Sequence, residues 1–93
     1  MVIGAMHCEL MIDGSWSLKD KRRVVQSLIA RTRSRHNVAI AEVGDQDVWN
    51  RALIGIVCVT NDSAHAYSML EAVARALDQG PDAVLERYEI EIL

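Results

Sequence analysis

Four strand-like segments frame two helix-like ones in the order β-α-β-β-α-β, and this order predicts an α+β domain with two helices laid on one antiparallel sheet. Three observations carry that prediction. Residues 2–12 and 84–93 alternate side chains at period two, as half-buried strands do. Residues 18–35 and the stretch between Ser63 and Gly80 repeat apolar side chains at helical spacing. The chain has 93 residues, 51% hydrophobic and 25% charged, which suits one folded domain spanning 1–93 with a single modest core.

The first strand places Val2, Gly4, Met6, Cys8, Leu10 and Ile12 on one face, with His7 and Glu9 on the other. Asp13-Gly14-Ser15 supplies turn chemistry, and Ser17 with Asp20 three residues on forms a capping box, so a helix starts near Leu18 and runs to Arg35. Leu18, Val24, Val25, Leu28, Ile29 and Thr32 share one face of it at about 100° per residue. A short strand covers Val38 to Val43 and is broken by Gly44-Asp45-Gln46-Asp47, after which Arg51 to Thr60 reads as the third strand. Asn61-Asp62-Ser63 opens the second helix, whose Ala66, Met69, Leu70, Val73 and Leu77 face the core until Gly80-Pro81 ends it. In the last strand, Val84 to Leu93, Tyr88, Ile90 and Ile92 alternate with Arg87, Glu89 and Glu91.

Right-handed crossovers make this a ferredoxin-like sandwich, with strands one and three central, two and four at the edges, and both helices on one face. The other face is left open. Strand three turns Ala52, Ile54, Ile56 and Cys58 to the helices and Leu53, Gly55, Val57 and Val59 to the open side. Leu53, Val57 and Val59 therefore form an apolar patch of the kind that marks an interface, and a homo-oligomer, most simply a dimer, is expected there.

The longest apolar runs fall far short of the roughly 20 residues a membrane helix needs. The N-terminus shows no basic segment followed by an apolar stretch and cleavage site. The expectation is a cytoplasmic protein with no membrane partner. In a reducing compartment Cys8 and Cys58 read as small buried side chains rather than a disulfide. Two isolated cysteines and His7 lack zinc-ligand spacing, so no metal is expected. No serine or cysteine has a histidine at a telling offset, there is no phosphate loop, and the five glycines form no GxGxxG. Neither catalysis, nor a cofactor, nor a small-molecule substrate is indicated.

Charge is segregated. Residues 17–36 hold seven basic residues against Asp20, a net +6, while the remaining three basic and twelve acidic residues give −9, for −3 overall. Lys19, Arg22, Arg23 and Arg33 gather on one exposed flank of the helix. Lys19 with Arg23 and Arg31 with Arg35 repel at i,i+4, and Lys19 to Arg23 also oppose the dipole at the helix start. Something outside the helix must compensate: either an acidic surface of the same fold or a partner subunit, or RNA phosphate. The RNA-binding sheets of this topology use surface aromatics, which this sheet lacks, so any RNA contact would run through the helix. Lys21 differs, because its position falls in the apolar sector. Its stem is expected to snorkel along the core edge until the ammonium meets a carboxylate, Asp45 or Asp47.

The segment from Glu42 to Arg51 collects Glu42, Gln46, Asp47, Trp49 and Arg51 in one hairpin connection, which makes it a candidate partner-binding loop beside its simpler reading as a solvated turn. His7 is expected on the open face, His36 at the end of helix one and His65 in the first turn of helix two.

Ser17-Leu18-Lys19-Asp20-Lys21-Arg22-Arg23, Ala41-Glu42-Val43 with Gln46-Asp47 before Trp49 and Arg51, and the closing Tyr88 to Leu93 together resemble the YlxP-like bacterial domain of unknown function. The resemblance spans essentially the whole chain. It implies a ferredoxin-like fold and no established activity. Genes of that family often lie beside genes of translation and ribosome maturation, which suggests a link to RNA or the ribosome. The function expected on these grounds is a non-enzymatic binding protein associated with RNA or ribosomes. The alternative is a homo-oligomeric protein–protein interaction module with no nucleic-acid role.

Overall fold

In a computed structural model that describes residues 1–93, the elements are β1 (Val2–Ile12), α1 (Leu18–Arg35), β2 (Ala39–Gly44), β3 (Arg51–Thr60), α2 (Ser63–Asp78) and β4 (Ala83–Ile92). The four strands form one antiparallel sheet in the order β2-β3-β1-β4, the ferredoxin-like arrangement with β1 and β3 at the centre. Three elements, β1, α1 and β3, fall as the side-chain pattern places them. The others move by about a residue: β2 begins at Ala39 because the Val38 N–H turns back to the His36 carbonyl at 2.9 Å, and β4 begins at Ala83, which pairs with Ile12.

Each helix starts on the capping residue its sequence provides. Ser17 Oγ accepts from the Asp20 N–H at 3.1 Å, and Asp20 Oδ2 accepts from the Trp16 N–H at 3.3 Å. For α2, Asp62 Oδ2 accepts from the His65 N–H at 3.0 Å. The core lies between the sheet and the helices, where Met6, Cys8, Leu10 and Ile12 meet Ala52, Ile54, Ile56 and Cys58 under Val25, Leu28, Leu70, Val73 and Leu77. Burying each large apolar side chain here stabilises the fold by about 1.5–3 kcal/mol. Gly4 lets α2 approach β1: a Cβ there would stand 2.9 Å from Leu70 Cδ1 and 3.1 Å from Cys58 Sγ. At the sheet edge Tyr88 Oη donates to Glu71 Oε2 at 2.9 Å, tying β4 to α2 and raising the phenol above its ordinary pKa.

The open face divides into two halves. Toward β4 it is polar, with Glu9 and Arg87 paired across strands at 2.7 Å and Glu89 opposite His7. Toward β2 it is apolar, with Val43, Leu53, Val57 and Val59 around the small residues Ala5, Ala39, Ala41 and Gly55. No helix is long and apolar enough to cross a membrane.

Candidate functional site

The topology brings together two segments that lie far apart in sequence. β1 and β3 pair so that Met11 stands opposite Arg51, which sets the β1–α1 connection beside the β2–β3 connection at one end of the sheet. Ser15, a buried hydroxyl, joins them: its Oγ lies 2.7 Å from the Trp49 carbonyl and 3.1 Å from the Ser17 carbonyl. The Ile12 N–H donates to the Asn50 carbonyl at 2.9 Å. The result is an exposed pair of indoles, with Trp16 and Trp49 stacked at 6.2 Å between ring centroids and 18° between planes.

Lys21 fixes the same junction from inside. Its side chain is 1% exposed, and Nζ lies 2.8 Å from Glu42 Oε2 and also donates to the Asp45 carbonyl. The expected carboxylate was Asp45 or Asp47, and the structure corrects this: β2 alternates Ile40 and Glu42 toward the helices, so Glu42 meets the ammonium while Asp45 offers only its backbone. Glu42 Oε2 has no hydrogen-bond donor besides that ammonium. Of the proposed binding loop, Glu42 is therefore withdrawn into a structural ion pair. Gln46, Asp47, Trp49 and Arg51 are exposed. Asp45 takes a left-handed backbone, φ 57°, and its carbonyl also receives the Val48 N–H at 3.0 Å, which closes the turn.

From this junction α1 runs along β2, presenting Lys19, Arg22, Arg23 and Arg33 to solvent. None of the four has a carboxylate within ion-pair distance, since the fold contains two ion pairs, Lys21–Glu42 and Arg87–Glu9. Arg33 alone has an internal partner, donating to the Ile40 carbonyl on edge strand β2 at 3.4 Å. Arg31 and Arg35 lie on the other flank, toward α2, where they line a small cleft with Leu28, Thr32, Ala76 and Gly80. Of the acidic residues outside α1, only Glu42 forms an ion pair with the helix, through Lys21.

The patch assigned to self-association faces outward as the alternation in β3 requires. Val57 is 40% and Val59 57% exposed, while Leu53 is half-buried. Beside them Gly55 floors a shallow depression of about 370 Å³ walled by Ala5, His7, Ala39, Ala41, Val43 and Val57. Cys8 and Cys58 are both buried and unpaired, and burial pushes the Cys8 thiol up to about 12.

Sequence reasoning singled out Trp49 but missed its stacking on Trp16. The available signal was Trp16 itself, a large apolar residue between two serines in a connection. Residues 3–90 match the family described as "Protein of unknown function (DUF503)". The chain is also similar to "Uncharacterized protein YlxP" of Bacillus subtilis (strain 168), with 35% identity over 81 residues that cover 87% of this chain and 88% of that one.

Proposed function

The chain belongs to the DUF503 family, whose function is unknown, and from its surface we propose that it is a non-enzymatic RNA-binding protein, acting in the cytoplasm on ribosomal or other RNA. The observation that carries this reading is the row Lys19, Arg22, Arg23 and Arg33, exposed on one helix and without a carboxylate partner in the fold. Cations at helical spacing follow a phosphate backbone without reading bases, which gives affinity and little sequence preference. Asp45 and Asp47 repel phosphate from the β2–β3 turn, so the backbone's path is the helix flank.

With three or four phosphates in contact, log affinity for single-stranded RNA falls with log salt at a slope of roughly −2 to −3, at about 0.7 per contact. Fluorescence anisotropy of a labelled RNA oligomer titrated at several salt concentrations measures it. A chain that purifies free of ribosomal RNA and binds no RNA oligomer at about 50 mM salt would refute the reading.

The open face supports a second reading, self-association. Val57 and Val59 remain exposed next to the depression at Gly55, and a second copy laid on that face would cover them. Sedimentation at micromolar concentration decides it. A single species of 10.4 kDa would exclude the dimer.

A further inference from the structure

Trp16 is 83% exposed, and its backbone is tied down on both sides. Its own N–H is held by Asp20, the residue before it is pinned to the Trp49 and Ser17 carbonyls, and the residue after it caps α1. Trp49 lies behind it, nearly parallel, and is itself 43% exposed. A flexible surface tryptophan would need no account. One fixed by its neighbours, supported on one ring face and bare on the other, forgoes the burial that a residue of about 150–250 Å² ordinarily gains.

The surroundings define what could cover the bare face. Lys19, Arg22 and Arg23 lie on the first two turns of the helix that begins one residue after Ser17, and Lys19 and Arg23 are separated along its axis by about 6 Å. An aromatic platform at one end of an unpaired basic row is the combination that single-stranded nucleic acid requires: phosphates along the row, a base on the ring. A duplex hides its base faces within the stack and cannot use such a ring. Resting on the RNA-binding reading above, we propose that Trp16, backed by Trp49, stacks an unpaired nucleobase, and that the ligand of this surface is therefore single-stranded RNA.

Every base has a π face, so the platform is tolerant of sequence, and oligouridylate and oligoadenylate both engage it. The two tryptophans that carry the site are the only ones in the chain, so base stacking quenches the protein's tryptophan emission as RNA is added.

The test measures binding of 12-nucleotide oligouridylate and oligoadenylate to the full chain and to Trp16→Ala, Trp16→Tyr and the pair Arg22→Glu with Arg33→Glu. Trp16→Ala weakens binding by about 5- to 150-fold, the range of one lost base stack, and leaves the salt slope unchanged. Trp16→Tyr, which keeps a ring, restores most of that loss. The double arginine variant abolishes binding instead through charge. Trp16→Ala binding as tightly as the parent, with the arginine variant still defective, would overturn the platform and leave the RNA reading standing. A parent chain that binds poly-glutamate but no RNA would overturn both, and would assign the surface to an acidic protein.

Discussion

Replacing Lys21 by methionine removes a charge from the inside of the fold while keeping its length. In the parent chain the ammonium is 1% exposed and the Glu42 side chain 18%, at 2.8 Å, and Glu42 Oε2 has no other donor. Breaking one partner of a buried pair costs about 3–5 kcal/mol, because the remaining charge is left without compensation. Glu42 keeps a partial route to water, which puts Lys21→Met near the lower figure, about 3 kcal/mol. For a domain of this size each kcal/mol moves the melting temperature by about 4–8 °C, so the variant should melt roughly 12–24 °C lower. Glu42→Gln retains an acceptor for Lys21 and should cost less, about 2 kcal/mol. The double variant leaves no stranded charge, and its loss should fall short of the sum of the single losses by about 2 kcal/mol. Urea unfolding followed by far-ultraviolet circular dichroism and by tryptophan emission measures all four proteins, and coincident transitions license the free energies. A coupling below about 0.5 kcal/mol would refute the claim that this ion pair joins α1 to β2.

Three further outcomes follow from the structure. Arg22→Glu with Arg33→Glu should abolish RNA binding and alter stability by about 1 kcal/mol or less, since both are exposed, neither has a carboxylate partner, and only Arg33 makes one long hydrogen bond, to the Ile40 carbonyl; a large loss of stability would show that these arginines serve the fold. Val57→Glu, which places a charge on the open face, should shift any dimer toward monomer in sedimentation, and an unchanged dimer would remove that face from the interface. Cys8 should label slowly in the native protein. Its thiol pKa is pushed from 9.0 to about 12 by burial, so above pH 9 the unfolded chain loses that proton first and stability falls with rising pH, by about 1.4 kcal/mol per unit until the folded value is reached. Urea midpoints measured between pH 7 and 10 should therefore decline less in Cys8→Ala than in the parent, and parallel declines would count against the burial argument.

The fold was legible because its signals are local. Period two in β1 and β3, the Ser17 and Asp62 caps and the Gly80-Pro81 stop each act within a few residues, and together they place every element. The site was legible only in parts, because its two halves meet through strand pairing. Lys21 announces itself as a cation in an apolar sector, but the sequence alone points its ammonium to Asp45 or Asp47 in the turn. Alternation along β2, which puts Glu42 on the face of Ile40, held the answer, and the bulge between Glu42 and Gly44 shows why the turn residues point elsewhere. The stack of Trp16 on Trp49 depends on the register of Met11 with Arg51 and on one serine hydroxyl, neither of which leaves a pattern in the sequence.

The pairing of β1 with β4 has an engineering consequence. Gly4 stands opposite Ile92, and the Leu93 N–H donates to the Ile3 carbonyl at 2.8 Å, so the first and last residues are neighbours. They meet at the far end of β1 from the tryptophans, some eleven strand residues away, or about 35 Å. A short glycine-rich bridge could therefore close the chain into a ring at the end remote from the indoles. A fluorophore or a surface tether attached at either end would likewise stand well away from the indoles.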